Sequence, residues 1–236
     1  SILGIFMSKK INYLCFSLWG CLLLSACTKM TLDKGALDGS HPAPSLNPIL
    51  NSIVKDIKNQ EIFTNNLNKC PAYTSPSQQT PLSNSYRDII STCENNKFKC
   101  YQSCVENDAV ACYLVALSLQ EANYKLPAEQ VFQRSCELGI ASGCTNRAAG
   151  MLDYKKHLTT EQKKCIFSTF EKTCDWRDPW GCTMFADQLI SEENTEPNYK
   201  KALNVLNYSC KHGDTDPACQ SAKRLRKFIN SKIKPD

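Results

Sequence analysis

The chain has 236 residues, a formal net charge of +5 and 22% charged residues. That length lets a single domain bury an ordinary core, and so small a basic excess makes no case for a nucleic-acid partner. Fifteen cysteines against three histidines are the one large departure in the composition, and their positions have to explain them.

At the N-terminal end, Met7 is followed by Lys9, Lys10 and the apolar run Ile11–Leu24. The run is shorter than the ~20 residues that cross a hydrocarbon core. A basic start, a short apolar stretch and small residues at its end predict a secretory signal peptide over residues 1–26, with Ser1–Phe6 upstream of the start methionine. Leu24-Ser25-Ala26-Cys27 resembles the bacterial lipobox. The resemblance implies cleavage before Cys27, lipidation of its thiol and anchorage in the cell envelope. Thr28, where many inner-membrane lipoproteins carry Asp, points to the outer membrane and a chain facing the periplasm. Residues 27–47, with Gly35, Gly39, Pro42 and Pro44, read as a tether.

The segment 48–108 is expected to be helical and to contain a degenerate repeat. Ile49, Leu50, Ile53 and Ile57 predict one face of an amphipathic helix over Pro48–Leu67. Cys70–Ser85 is rich in Pro and Ser and reads as a loop. Tyr86–Cys93 has the pattern of the second helix of an incomplete unit.

From Ala109 to the C-terminus the cysteines set a period. Cys104 and Cys112, Cys136 and Cys144, and Cys174 and Cys182 are equally spaced; Cys210 and Cys219 are one residue further apart. The leading members recur at intervals of 32, 38 and 36 residues, within the range of solenoid repeats. Phe132, Phe170 and Leu206 stand four residues before a leading cysteine. Ala116, Ala148 and Ala186 stand four after a trailing one, and Leu119, Met151 and Leu189 seven after. These offsets are helical, so each unit is a helix running up to one cysteine, a turn rich in Gly, Asp or Pro, and a helix leaving the next. The basic stretch "ACQSAKRLRKFINSKIK" closes the array as an end cap.

"ACYLVALSL", "QRSCELGIASGC" and "YKKALNVLNYSCKHG" resemble the Sel-one-like repeat family, relatives of the tetratricopeptide repeat, and most closely its disulfide-rich branch, the Helicobacter cysteine-rich proteins. The resemblance covers about 109–228 and implies an all-α solenoid of αα-hairpins. On that register each cysteine pair closes a short loop at a repeat junction, for about 2.5 kcal/mol on the chain-entropy model. The expected bridges are Cys104–Cys112, Cys136–Cys144, Cys174–Cys182 and Cys210–Cys219. Their spacing is not that of a zinc site, and an envelope location favours disulfides, so no metal and no cofactor is expected. Cys70, Cys93, Cys100 and Cys165 remain. Cys93–Cys100 would put Cys70 on Cys165 or leave both free, and Cys70–Cys93 is nearly as good; the spacing leaves these open.

Some relatives bind or slowly hydrolyse β-lactams, so an enzyme of that kind is the alternative reading. Ser52 and Lys55 match S-x-x-K, as do Ser231 and Lys234, but the K-T-G and S-D-N partners are missing. No catalytic residue is therefore assigned. The leading expectation is an interaction scaffold, holding a protein or cell-wall partner on the concave face of the solenoid. Positions off the core stripe supply the contact candidates there: Tyr113, Asn146, Asp187 and Gln188, with Arg147 and Lys223 expected to be exposed because they are polar at packing positions.

Overall fold

The computed structural model describes residues 48–65, 67–73, 85–153, 157–191 and 196–233. Cys27, the signal peptide and the tether lie outside them. All regular structure among the described residues is helical. It comprises α1 (Pro48–Ile57), α2 (Glu61–Thr64), a 3-10 turn (Pro71–Tyr73), α3 (Ser85–Asn95), α4 (Lys97–Val105), α5 (Ala109–Glu121), α6 (Lys125–Glu137), α7 (Ala141–Leu152), α8 (Thr160–Asp175), α9 (Pro179–Leu189), α10 (Tyr199–Val205), a second 3-10 turn (Leu206–Cys210) and α11 (Pro217–Ile233). None of the described helices is long and apolar enough to cross a membrane.

The junctions between helices share one local design. The third residue after each leading cysteine has a left-handed backbone: Asn107, Gly139, Arg177 and Gly213, with φ of 73°, 103°, 64° and 98°. Its N–H donates to the carbonyl of the leading cysteine in all four turns. In the first three, the next N–H (Asp108, Ile140, Asp178) donates to the carbonyl before that cysteine (Ser103, Ser135, Thr173). This double closure satisfies the last carbonyls of the incoming helix. The following helix then starts on a side-chain cap in two of these turns: Asp108 accepts from the Ala111 N–H and Asp178 from the Gly181 N–H. The turn after Cys210 is one residue longer, and Asp216 caps α11 through the Ala218 N–H at 2.9 Å.

Each junction is stapled as expected from the spacing, with disulfides at Cys104–Cys112, Cys136–Cys144, Cys174–Cys182 and Cys210–Cys219. Cys93–Cys100 joins α3 to α4, and Cys70–Cys165 ties the first 3-10 turn to α8 across 95 residues of sequence. The staples require close helices. A Cβ on Gly181, just before Cys182, would stand 2.3 Å from Thr173 Oγ1, just before Cys174. The equivalent positions carry Ala111, Gly143 and Ala218. Gly143 and Gly181 therefore serve helix approach inside α7 and α9; the left-handed turn positions are Gly139 and Arg177.

From α3 to α10 each helix packs on the next, and α3 on α5, α7 on α9 and α9 on α11 pack two steps along. The +4 alanines, Ala116, Ala148 and Ala186, are fully buried at these contacts. Leu119, Met151 and Leu189 are buried with them. Two features of the N-terminal segment differ from expectation. The helix from Pro48 stops at Ile57 and resumes only briefly as α2, because Gln60 is extended (φ −101°, ψ 123°). Ile49 is 48% exposed, and Val54 takes its place beside Leu50, Ile53 and Ile57 in the core. Tyr101 fastens α1 to α4 by donating to Asp56 at 2.7 Å. Burial, then that carboxylate, pushes the Tyr101 hydroxyl far above its ordinary pKa.

The buried apolar residues form two clusters. One runs from Leu50 to Phe132 and the other from Ala148 to Ile229. They meet at α6 and α7, where the buried side chains become polar: Glu129, Gln130, Gln133, Ser135, Thr145 and Arg147. The amide of Gln133 makes no hydrogen bond to any described residue. A polar seam through a packed interior is costly, and this one lies beside a cleft.

Candidate functional site

The six residues expected on one concave face separate into three groups. Tyr113 and Asn146 are half-buried neighbours, with Asn146 Nδ2 at 3.5 Å from the Tyr113 hydroxyl, and Gln188 is half-buried on α9. Lys223 is exposed and pairs with Asp214 at 2.9 Å in the junction turn before its own helix. Arg147 and Asp187 overturn the expectation of exposure: they are 5% and 4% exposed. A helical period assigns a residue to a face, but a neighbouring helix decides whether that face meets water. Here α7 lies against α6, α8 and α9.

Arg147 is held in a buried ion pair. Its Nη1 donates to Glu129 Oε2 at 2.7 Å, and its Nη2 to the Leu67 carbonyl at 3.0 Å. Burial pushes the Glu129 carboxyl up to about 7, outweighing the downward pull of Arg147; Asp153 adds to the rise. The same cause, burial, raises Asp153, opposed by Lys125. Gly150 makes room for the carboxylate, since a Cβ there would lie 1.8 Å from Glu129 Oε1.

The pair opens on a cleft of about 500 Å³ between α6, α7, the start of α8 and the segment before the first 3-10 turn. Leu67, Leu126, Met151 and Leu158 supply apolar walls, and Cys70 and Cys165 line it too. His157 and Glu161 are exposed residues of the lining. Lys69, also in the lining, is engaged with Glu137 at 3.0 Å. The size suits a small organic ligand.

Ser52 and Lys55 lie exposed on α1, away from this cleft, and Ser231 is exposed near the end of α11, with Lys234 outside the described residues. One cluster among the described residues has metal-ligand types in reach, Cys210, Asp214 and Cys219. Its two sulfurs are bonded to each other, so it offers a metal no thiolate.

Glu129 was not among the residues singled out from the sequence, although a signal for it exists. Aligning the units on their cysteines places Glu129 opposite Phe167 and Arg147 opposite Phe185. In α8 and α9 those two rings pack edge to face with centroids 5.3 Å apart. The unit of α6 and α7 has a buried ion pair in place of that aromatic contact. Compared with models of protein families, with curated proteins and with solved structures, the chain matches none.

Proposed function

We propose that this chain is a lipid-anchored protein of the cell envelope, a Sel-one-like solenoid of αα-hairpins stapled by disulfides, whose helical surface holds a polypeptide partner. The neighbour-on-neighbour packing of α3 to α11 and the recurrence of one stapled junction support the solenoid reading. The lipobox at Cys27 supports the anchor, and six disulfides among the described residues suit an oxidising compartment.

The observation that carries the binding role is intramolecular. The segment Leu67–Tyr73, which ends in the first 3-10 turn, lies across α6, α7 and α8. Its backbone is held by side chains of those helices: Arg147 donates to the Leu67 carbonyl and Lys172 to the Ala72 carbonyl. A helical surface that grips backbone outside its α-helices through side-chain donors is equipped to grip a second chain the same way.

A photoreactive amino acid at Asn146 or Gln188 should crosslink, in intact cells, to one defined envelope polypeptide, and one at Ser52 should not. Equal adducts from all three positions, or none, would remove the assignment of this surface. In the same cells, Cys27→Ala should abolish incorporation of labelled palmitate and partition into detergent. Unchanged labelling would refute the anchor.

A further inference from the structure

The Glu129–Arg147 pair stands where the fold has no need of charge. The equivalent positions in the other units carry Lys97 and Val115, Phe167 and Phe185, and Leu203 and Ala222. Val115, Phe185 and Ala222 are all buried there. An isolated buried ion pair seldom stabilises a fold more than a packed apolar pair of similar volume. The pair is also the one place where these repeat positions open on the cleft.

The donors and acceptors at the pair are unequally used. Arg147 spends Nη1 on Glu129 and Nη2 on the Leu67 carbonyl, and its Nε is enclosed. Glu129 accepts through Oε2 alone; its Oε1 has no hydrogen-bond partner among the described residues. That oxygen lies over Gly150, where any side chain would occupy its place. The group with spare capacity beside the cleft is thus a carboxylate oxygen.

The surrounding charge favours a cation as the incoming group. One guanidinium does not offset the burial of Glu129, whose carboxyl remains pushed up to about 7. Asp153, opposed by Lys125, adds negative charge nearby, and Glu161 stands in the lining paired with Lys164 at 3.5 Å. Of the other basic groups among the described residues, Lys69 is paired with Glu137, Lys125 faces Asp153 and Lys164 pairs with Glu161; His157 is exposed. An entering anion would meet the Glu129 carboxylate, whereas an entering ammonium would give it a second positive donor beside Arg147. The apolar walls would take a hydrocarbon body.

We propose that this cleft is a binding site for small molecules carrying a protonated amine on an apolar body, with Glu129 Oε1 as the acceptor. The cleft shares Arg147 and Leu67 with the grip on the Leu67–Tyr73 segment, but its lining includes neither Asn146 nor Gln188, the positions that test the polypeptide-holding surface.

Hexylammonium, hexanol and hexanoate share a body and differ in head group, which makes them a direct test. Their binding to the folded, disulfide-intact chain is measured by titration calorimetry and saturation-transfer NMR at about pH 8, where Glu129 is ionised. Hexylammonium should bind, with hexanol and hexanoate weaker by about tenfold or more, and Glu129→Gln should weaken hexylammonium by about tenfold. Leu126→Lys places a competing ammonium at an exposed wall position and should weaken it too, which provides a second variant if Glu129→Gln does not fold. Hexanoate binding as tightly as hexylammonium, affinity unchanged in the folded variants, or no hexylammonium binding would each overturn the proposal.

Discussion

Serine in place of both Cys70 and Cys165 should lower the folding free energy by about 4 kcal/mol, against about 2.5 kcal/mol for the same change at Cys136 and Cys144. The difference comes from loop length. The Cys70–Cys165 bridge spans 95 residues of sequence and the Cys136–Cys144 bridge spans 8, and closure entropy grows with the logarithm of that span. Smaller bridges nested inside the long loop shorten it only modestly, so most of the advantage survives. The long bridge also holds Leu67–Tyr73 against α6, α7 and α8, so its loss should free the contacts of Arg147 and Lys172 with that segment. Urea denaturation of the two double variants measures the comparison, and native-state hydrogen exchange locates the loosened segment. Equal costs for the two bridges, or full protection of residues 67–73 without Cys70–Cys165, would contradict this assignment.

The second large effect is expected at the buried ion pair. Glu129→Ala should destabilise by about 3–5 kcal/mol, because it leaves the Arg147 guanidinium buried without its counter-charge. Replacing both partners by the aromatic pair of the next unit, Glu129→Phe with Arg147→Phe, should be neutral or stabilising. A single-site loss beside a double-site gain is the signature of a pair kept for something other than stability. The wild-type pH dependence should carry the same mark. The folded Glu129 pKa of about 7 lies above its ordinary value of 4.5, so the folded state binds a proton more tightly than the unfolded one. The corresponding stability is fully present below about pH 4.5 and is lost as pH rises to about 7, amounting to about 3 kcal/mol. Glu129→Gln should flatten that part of the profile. A double Phe variant as unstable as Glu129→Ala would show that the site needs its charges to fold.

Much of the architecture was legible because it is local and repeated. A cysteine at a constant offset from an alanine and a large apolar residue defines a helix, a turn and a second helix with no knowledge of the rest of the chain. The four junction bridges follow from residues eight or nine apart in sequence. The buried alanine stripe of Ala116, Ala148 and Ala186 was legible for the same reason.

What the sequence left open depends on contacts between distant segments. Cys70 had two near-equivalent partners by spacing, and its bond to Cys165 exists because Pro71 and Ala72 are buried against α6, α7 and α8. Arg147 and Asp187 looked like solvent residues because polarity marks a side chain's preference, whereas burial is decided by the helix laid over it. Arg147 tolerates burial only because Glu129, on the preceding helix, and the Leu67 carbonyl, 80 residues away in sequence, converge on one guanidinium. Helical period gives each residue a direction, but only tertiary packing gives that direction a partner, and for a charged group in a low-dielectric interior the partner decides whether it can be there at all.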